Sequence, residues 1–186
     1  MKSKINHLFI VVLTATFLFS CTNDSTHMRR NITGRAGELV VVISKDSWEG
    51  KPGKLIRETL AQPHVGLPQD EPIFDLIDIP HAAFKDIFRS TRNIIQTNIS
   101  ADVTKPGILF TDDVWAFPQA TVKIQAKNAD QFEKLFSENR EKIMSYFIAA
   151  EKERVTITYK KIYEKGVYNV LEKDFGTVSY THLTLP

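Results

Sequence analysis

Leu39-Val40-Val41-Val42-Ile43 is a run of five apolar residues, four of them branched at Cβ. Successive side chains of a strand leave on opposite faces, so this run is apolar on both. A strand of that kind needs cover above and below. It is the signature of an interior strand in an α/β sheet. Gly34 and Gly37 mark a turn before it, and the loop "KDSWEGKPG" follows. Pro52 suits the first turn of a helix, where its missing N–H has no partner to lose. Leu55, Ile56, Thr59 and Leu60 then share one helical face, and Gln62-Pro63 ends the helix.

The same periodicities order the rest. Ile73 to Ile79 reads as a second strand stopped by Pro80, Ala82 to Phe88 as a short helix, and Arg92 to Ile99 as a third strand. Ile108 to Phe110 reads as a short strand before an Asp112-Asp113 turn. Gln119 to Ala126 alternates, with Ala120, Val122, Ile124 and Ala126 inward and Gln119, Thr121, Lys123 and Gln125 outward: a strand with one solvated face. Asn128 and Gln131 form a capping box for a helix whose core stripe is Phe132, Leu135, Phe136, Ile143, Phe147 and Ala150. Helical pattern runs on to Tyr163, and a last helix covers Val167 to Lys173. The fold class expected is α/β (α+β): a two-layer sandwich, a four-stranded mixed sheet with helices on one face, and long C-terminal helices. A right-handed first crossover makes strands one and two parallel. If the short Pro80–Thr91 connection is also a crossover, strand three is parallel and strand four returns antiparallel. A ferredoxin-like β-α-β-β-α order is the alternative.

The ends of the chain are a separate matter. Lys2 and Lys4 precede an apolar segment, Leu8 to Phe19. As a helix it spans about 18 Å, too short for a hydrocarbon core of about 30 Å. It reads as a secretory signal peptide, residues 1–20. Leu18-Phe19-Ser20-Cys21 resembles the bacterial lipobox, although Phe19 is bulkier than usual there. That resemblance implies a diacylglyceryl thioether on Cys21 and acylation of its freed amine. One acyl chain holds a protein marginally and two or three hold it firmly. As the chain's lone cysteine, Cys21 cannot make an internal disulfide. Residues 21–33 read as a polar tether and 34–176 as one α/β domain, the N-terminal part of a longer protein. The last residues, 177–186, end in "VSYTHLTLP" and resemble translated adapter read-through; they are set aside from fold reasoning. Thr22 resembles an outer-membrane sorting residue.

Charge and spacing exclude several functions. The leader holds two of the 24 basic residues, so the mature chain carries 22 basic against 22 acidic. Neutrality with mixed charges argues against nucleic acid as a partner, since phosphate binding needs a basic face. His27, His64, His81 and His182 have no metal-ligand spacing, and no cofactor is expected. "EGKPGKL" sits where a phosphate loop would, but Trp48 and Leu55 occupy positions that need glycine and a hydroxyl. No catalytic residue is singled out. The candidate ligand-binding residues are Trp48, Asp113, Trp115 and Gln119. If strands one and three are parallel, the loops bearing both indoles leave the C-terminal edge of the sheet, where ligands of open α/β sheets bind. Two indoles beside polar groups suit a peptide or a glycan. Otherwise both rings simply cap the core.

"GRAGELVVV", "SWEGKPGKLIRETL", "LPQDEPIFDL", "FKDIFRSTRNII" and "DDVWAFPQATVKIQA" together resemble a domain-of-unknown-function family of Bacteroidetes envelope lipoproteins. The resemblance implies an envelope location and a further C-terminal half, and it carries no catalytic residue. The expected function is that of a non-enzymatic binding or assembly module, anchored to membrane through Cys21 and partnered by an envelope protein, peptide or glycan. The alternative is a periplasmic hydrolase of peptide or glycan substrates with its active site in the missing half.

Overall fold

The computed structural model describes residues 30–66 and 68–177. The leader, Cys21, most of the tether and nearly all of the proposed tail lie outside those residues. A five-stranded sheet has the order β3-β2-β4-β7-β5: β2 is Glu38–Val42, β3 Asp75–Ile79, β4 Asn93–Ile99, β5 Gly107–Asp112 and β7 Ala120–Ala126. Two further short strands, β1 (Arg30–Asn31) and β6 (Ala116–Phe117), pair in parallel beside it. The helices are α1 (Lys45–Glu49), α2 (Lys51–Leu60), α3 (Ala129–Glu138), α4 (Arg140–Ile162) and α5 (Lys165–Phe175).

The β-branched run is the interior strand its composition requires. β2 is bonded on both sides, to β3 and β4, and both pairings are parallel. Leu39 and Val41 enter one core with Ile56 and Leu60 of α2 and with Phe132, Phe136, Ile143 and Phe147 of α3 and α4. Val40 and Val42 enter a second core, on the other face, with Ile79, Ile94 and Phe84. The long helices thus cover one face, as expected. The opposite face is closed over β2 by the segment between β3 and β4. That segment is two 3₁₀ turns, His81–Ala83 and Asp86–Ser90, rather than the expected short helix. Its placement follows from handedness. The chain steps one way from β2 to β3 and back from β3 to β4, so right-handed connections must use opposite faces.

The strand count and one direction differ from expectation. β7 runs parallel to β4, not antiparallel to it. The stretch at 108–110 is the middle of a full six-residue strand, β5, antiparallel to β7. One extra stroke across the sheet reverses the parity of every strand after it. The hydrophobic periodicity of β7 is as expected for its inner face, but Thr121 on the other face is also buried.

Local chemistry sets the joints. Gly34 and Gly37 both have positive φ, as the turn before β2 requires. At Gly53 a Cβ would stand 2.0 Å from the Trp48 carbonyl oxygen, so only glycine lets α2 start against α1. Asn128 caps α3 by accepting from the Gln131 N–H at 2.9 Å. Gln131 reaches back to the Lys127 N–H at 2.7 Å, one residue before the cap itself.

Candidate functional site

The structure separates the two indoles. Trp48 lies on α1, just after β2, at the C-terminal edge of the parallel strands. Its ring packs on the helix-side core beneath the Arg57 guanidinium, 4.5 Å from the ring centre, and Arg57 Nη1 donates to the Trp48 carbonyl at 2.8 Å. Trp115 follows β5, which returns to the N-terminal edge, and it packs edge-on against Phe84 at 5.1 Å on the other face. The expectation that both loops leave one edge fails because β5 intervenes between β4 and Trp115. The C-terminal crevice between β2 and β4 is itself bridged from within. His81 Nε2 donates to the Thr97 carbonyl at 2.6 Å, and Thr97 Oγ1 donates to the Val42 carbonyl at 2.9 Å.

Asp113, Trp115 and Gln119 do come together, in the turn joining β5 to β7. Asp113 has φ of 56°, and its Oδ1 accepts from the Gln119 N–H at 2.9 Å. Gln119 faces inward, not outward as its place in the alternation suggested, and is 2% exposed. Its Oε1 accepts from the Trp115 N–H at 3.0 Å, and its amide nitrogen donates to the carbonyls of Arg89 and Thr91, each at 2.7 Å. Both amide hydrogens and the oxygen are therefore committed. Gln119 positions the turn; it has no N–H left to offer a ligand. Between them the Phe117–Pro118 bond is cis, and Phe117 is 52% exposed at the crest.

Two depressions open along that turn. One, of about 220 Å³, is lined by Arg30, Asp86, Arg89, Ser90 and Trp115, with two guanidiniums against one carboxylate. The other, of about 180 Å³, includes Asp112, Asp113 and Glu153 with Arg154 and Ile157. The rim thus presents Phe117 at the acidic hollow and Trp115 at the basic one. Beside it Tyr146 donates to Asp112 at 2.6 Å. Burial, and then the Asp112 bond, push the phenol well above its ordinary pKa, which keeps it a donor.

Beneath the rim lies a buried ionic clip that sequence reasoning missed. Arg154, 7% exposed, donates from Nε to the Pro118 carbonyl at 3.0 Å, from Nη1 to Glu151 at 2.8 Å and to Asn93 Oδ1 at 3.1 Å, and from Nη2 to the Arg92 carbonyl at 2.9 Å and to Asn93. Glu151 also accepts from Arg92 at 2.6 Å and from Asn93 at 2.7 Å. Burial lowers the Arg154 pKa from its usual value, and the Glu151 charge opposes that shift. The signal was present: Arg154 continues the core register of Ile143, Phe147 and Ala150 at i, i+4, i+7 and i+11. Among the described residues no group of three or more His, Cys, Asp or Glu could hold a metal ion.

Fold and rim define a mixed α/β protein built on a five-stranded sheet, with this rim at the N-terminal edge of its parallel strands. The chain belongs to the family of a domain of unknown function, DUF8532, which matches residues 32–160. No curated protein and no solved structure matches it significantly.

Proposed function

We propose that this DUF8532 protein is a lipoprotein of a bacterial envelope, of the Bacteroidetes kind, held in the outer membrane by acylated Cys21. There it acts as a non-enzymatic binding or assembly module. The anchor is supported by the leader that ends Leu18-Phe19-Ser20-Cys21. The binding role rests on one observation: one turn, fixed from below by Gln119 and Arg154, sets a half-exposed Phe117 at an acidic hollow and Trp115 at a basic one. A rigid crest of that kind suits a peptide or glycan that offers an apolar face flanked by charge.

Each half has its own test. In a native host fed labelled palmitate, the wild type takes up label and is processed. Cys21→Ala accumulates as unlabelled precursor. Equal label on both proteins would rule out the anchor. For the rim, Trp48→Phe leaves Trp115 as the only indole. Soluble peptidoglycan fragments, which carry peptide and glycan together, change its fluorescence saturably, and Phe117→Ser weakens that response by about tenfold. A signal that is flat, or indifferent to Phe117→Ser, would remove the binding role.

A further inference from the structure

Helix α4 runs on beyond Arg154, its last buried residue, to Ile162. Those last eight residues extend about 12 Å. Val155, Tyr159 and Ile162 are spaced i, i+4, i+7 and share one face. They are 46%, 41% and 49% exposed. With Thr158, Arg92 and Arg154 they line an open groove of about 300 Å³. α5 follows after Tyr163-Glu164 and has no buried residue, with Val170 and Phe175 exposed. Helices with apolar faces draw most of their stability from what packs on those faces, so this stripe calls for an occupant.

Its place in the fold narrows the choice. Arg92 borders the groove and also receives the chain where it enters the domain: its N–H donates to the Thr33 carbonyl at 3.1 Å, and its Nη1 lies 3.4 Å from the Gly34 carbonyl. The entry point and the apolar stripe therefore adjoin the same residue. Eight residues, 22–29, separate Cys21 from Arg30. Fully extended, the nine Cα steps from Cys21 to Arg30 span at most about 32 Å. An acylated Cys21 thus keeps this edge of the domain within that distance of the bilayer. Along the helix itself charge agrees: between 152 and 165 lie Lys152, Lys160, Lys161 and Lys165 outside the buried clip, against Glu153 and Glu164, while the acidic hollow of Asp112, Asp113 and Glu153 opens beside Ile157 rather than in the groove of the stripe. Lysine stems and a tyrosine ring are suited to the headgroup region, where apolar and wet surfaces meet.

We propose that the distal face of α4, carrying Val155, Tyr159 and Ile162, docks on the anionic headgroup surface of the membrane that holds the protein. The presence of that membrane rests on the anchored-lipoprotein reading; the docking is a separate property. The bilayer orients the domain, so that the stripe lies against lipid beside the tether.

The test imposes attachment, so that it does not depend on acylation. The mature chain, residues 22–186 with an N-terminal oligohistidine, is held on vesicles of phosphatidylethanolamine, phosphatidylglycerol and nickel-chelating lipid. Without Cys21 it has no thiol, so Tyr159→Cys takes an environment-sensitive dye at one place. Lys45→Cys, exposed at the opposite end of the sheet, is the control. Doxyl-labelled lipid quenches the dye at 159 at least about twofold more than at 45, and adding Val155→Ser and Ile162→Ser removes the difference. These residues are exposed, so the substitutions leave the fold intact. Equal quenching at both sites would overturn the proposal. So would a dye that is shielded without doxyl quenching in a chain sedimenting as a dimer, which would assign the stripe to a second copy. Failure of palmitate labelling in the host would sink the anchor alone.

Discussion

Arg154 is the residue on which the candidate site depends most. It joins α4 to the starts of β4 and β7 through five donated bonds. A buried ion pair adds little over an apolar substitute, but losing one partner strands the others. In Arg154→Ala, Asn93 Oδ1 and the Pro118 carbonyl lose their donor, while Glu151 keeps only Arg92 and Asn93. The expected loss is about 3 kcal/mol, read as a lowered urea midpoint with unchanged slope. Arg154→Lys recovers little of it, because a single ammonium cannot reproduce the planar fork that spans two strand starts. An Arg154→Ala midpoint equal to wild type would mean that the clip is decoration and that the rim is held by Gln119 alone.

At the scale of elements, the sequence was legible where burial alone decides. β2 is apolar on both faces, so its interior place followed from five residues. The α3 cap followed from Asn128 and Gln131, because that chemistry is local. The helical stripe from Phe132 to Ala150 was legible too, but it was read as one helix, and the break at Asn139 that divides it into α3 and α4 was not. β5 was underestimated because it is an edge strand: Leu109 and Thr111 are exposed, and only Ile108 and Phe110 pack inward. Half of its pattern is therefore missing from the sequence. That one short strand decided the direction of β7 and the edge on which Trp115 lies, so a small misreading moved a whole proposed site. The segment between β3 and β4 failed differently. Ala82 to Phe88 has helical spacing, but it must cross the sheet in few residues, and 3₁₀ turns advance farther per residue than an α-helix. The buried role of Gln119 was illegible because its three partners, Arg89, Thr91 and Trp115, are set by tertiary placement rather than by any local pattern.

The whole molecule is graded in stability along its long helices. Around β2, β4 and β7 the core is dense: Phe74, Phe132, Phe136 and Phe147 are each fully enclosed, and Phe74 meets Phe147 edge-on at 5.9 Å. Burying each such ring contributes about 1.5–3 kcal/mol. That density stops at Arg154. Beyond it α4 and α5 hold no fully buried side chain, and their hydrogen bonds face solvent unless something covers them. Amides in such segments open without unfolding the rest. Hydrogen exchange on the mature chain free in solution therefore shows β2, β4 and β7 exchanging only with global unfolding, and residues 156–175 exchanging orders of magnitude faster. On anionic vesicles the distal part of α4 slows while the strands do not change, because lipid covers a face that water otherwise reaches. Slow exchange of 156–175 in solution, in a chain that sediments as a monomer, would mean that the stripe is already covered from within. Neither the graded core nor a membrane-facing helix would survive that result.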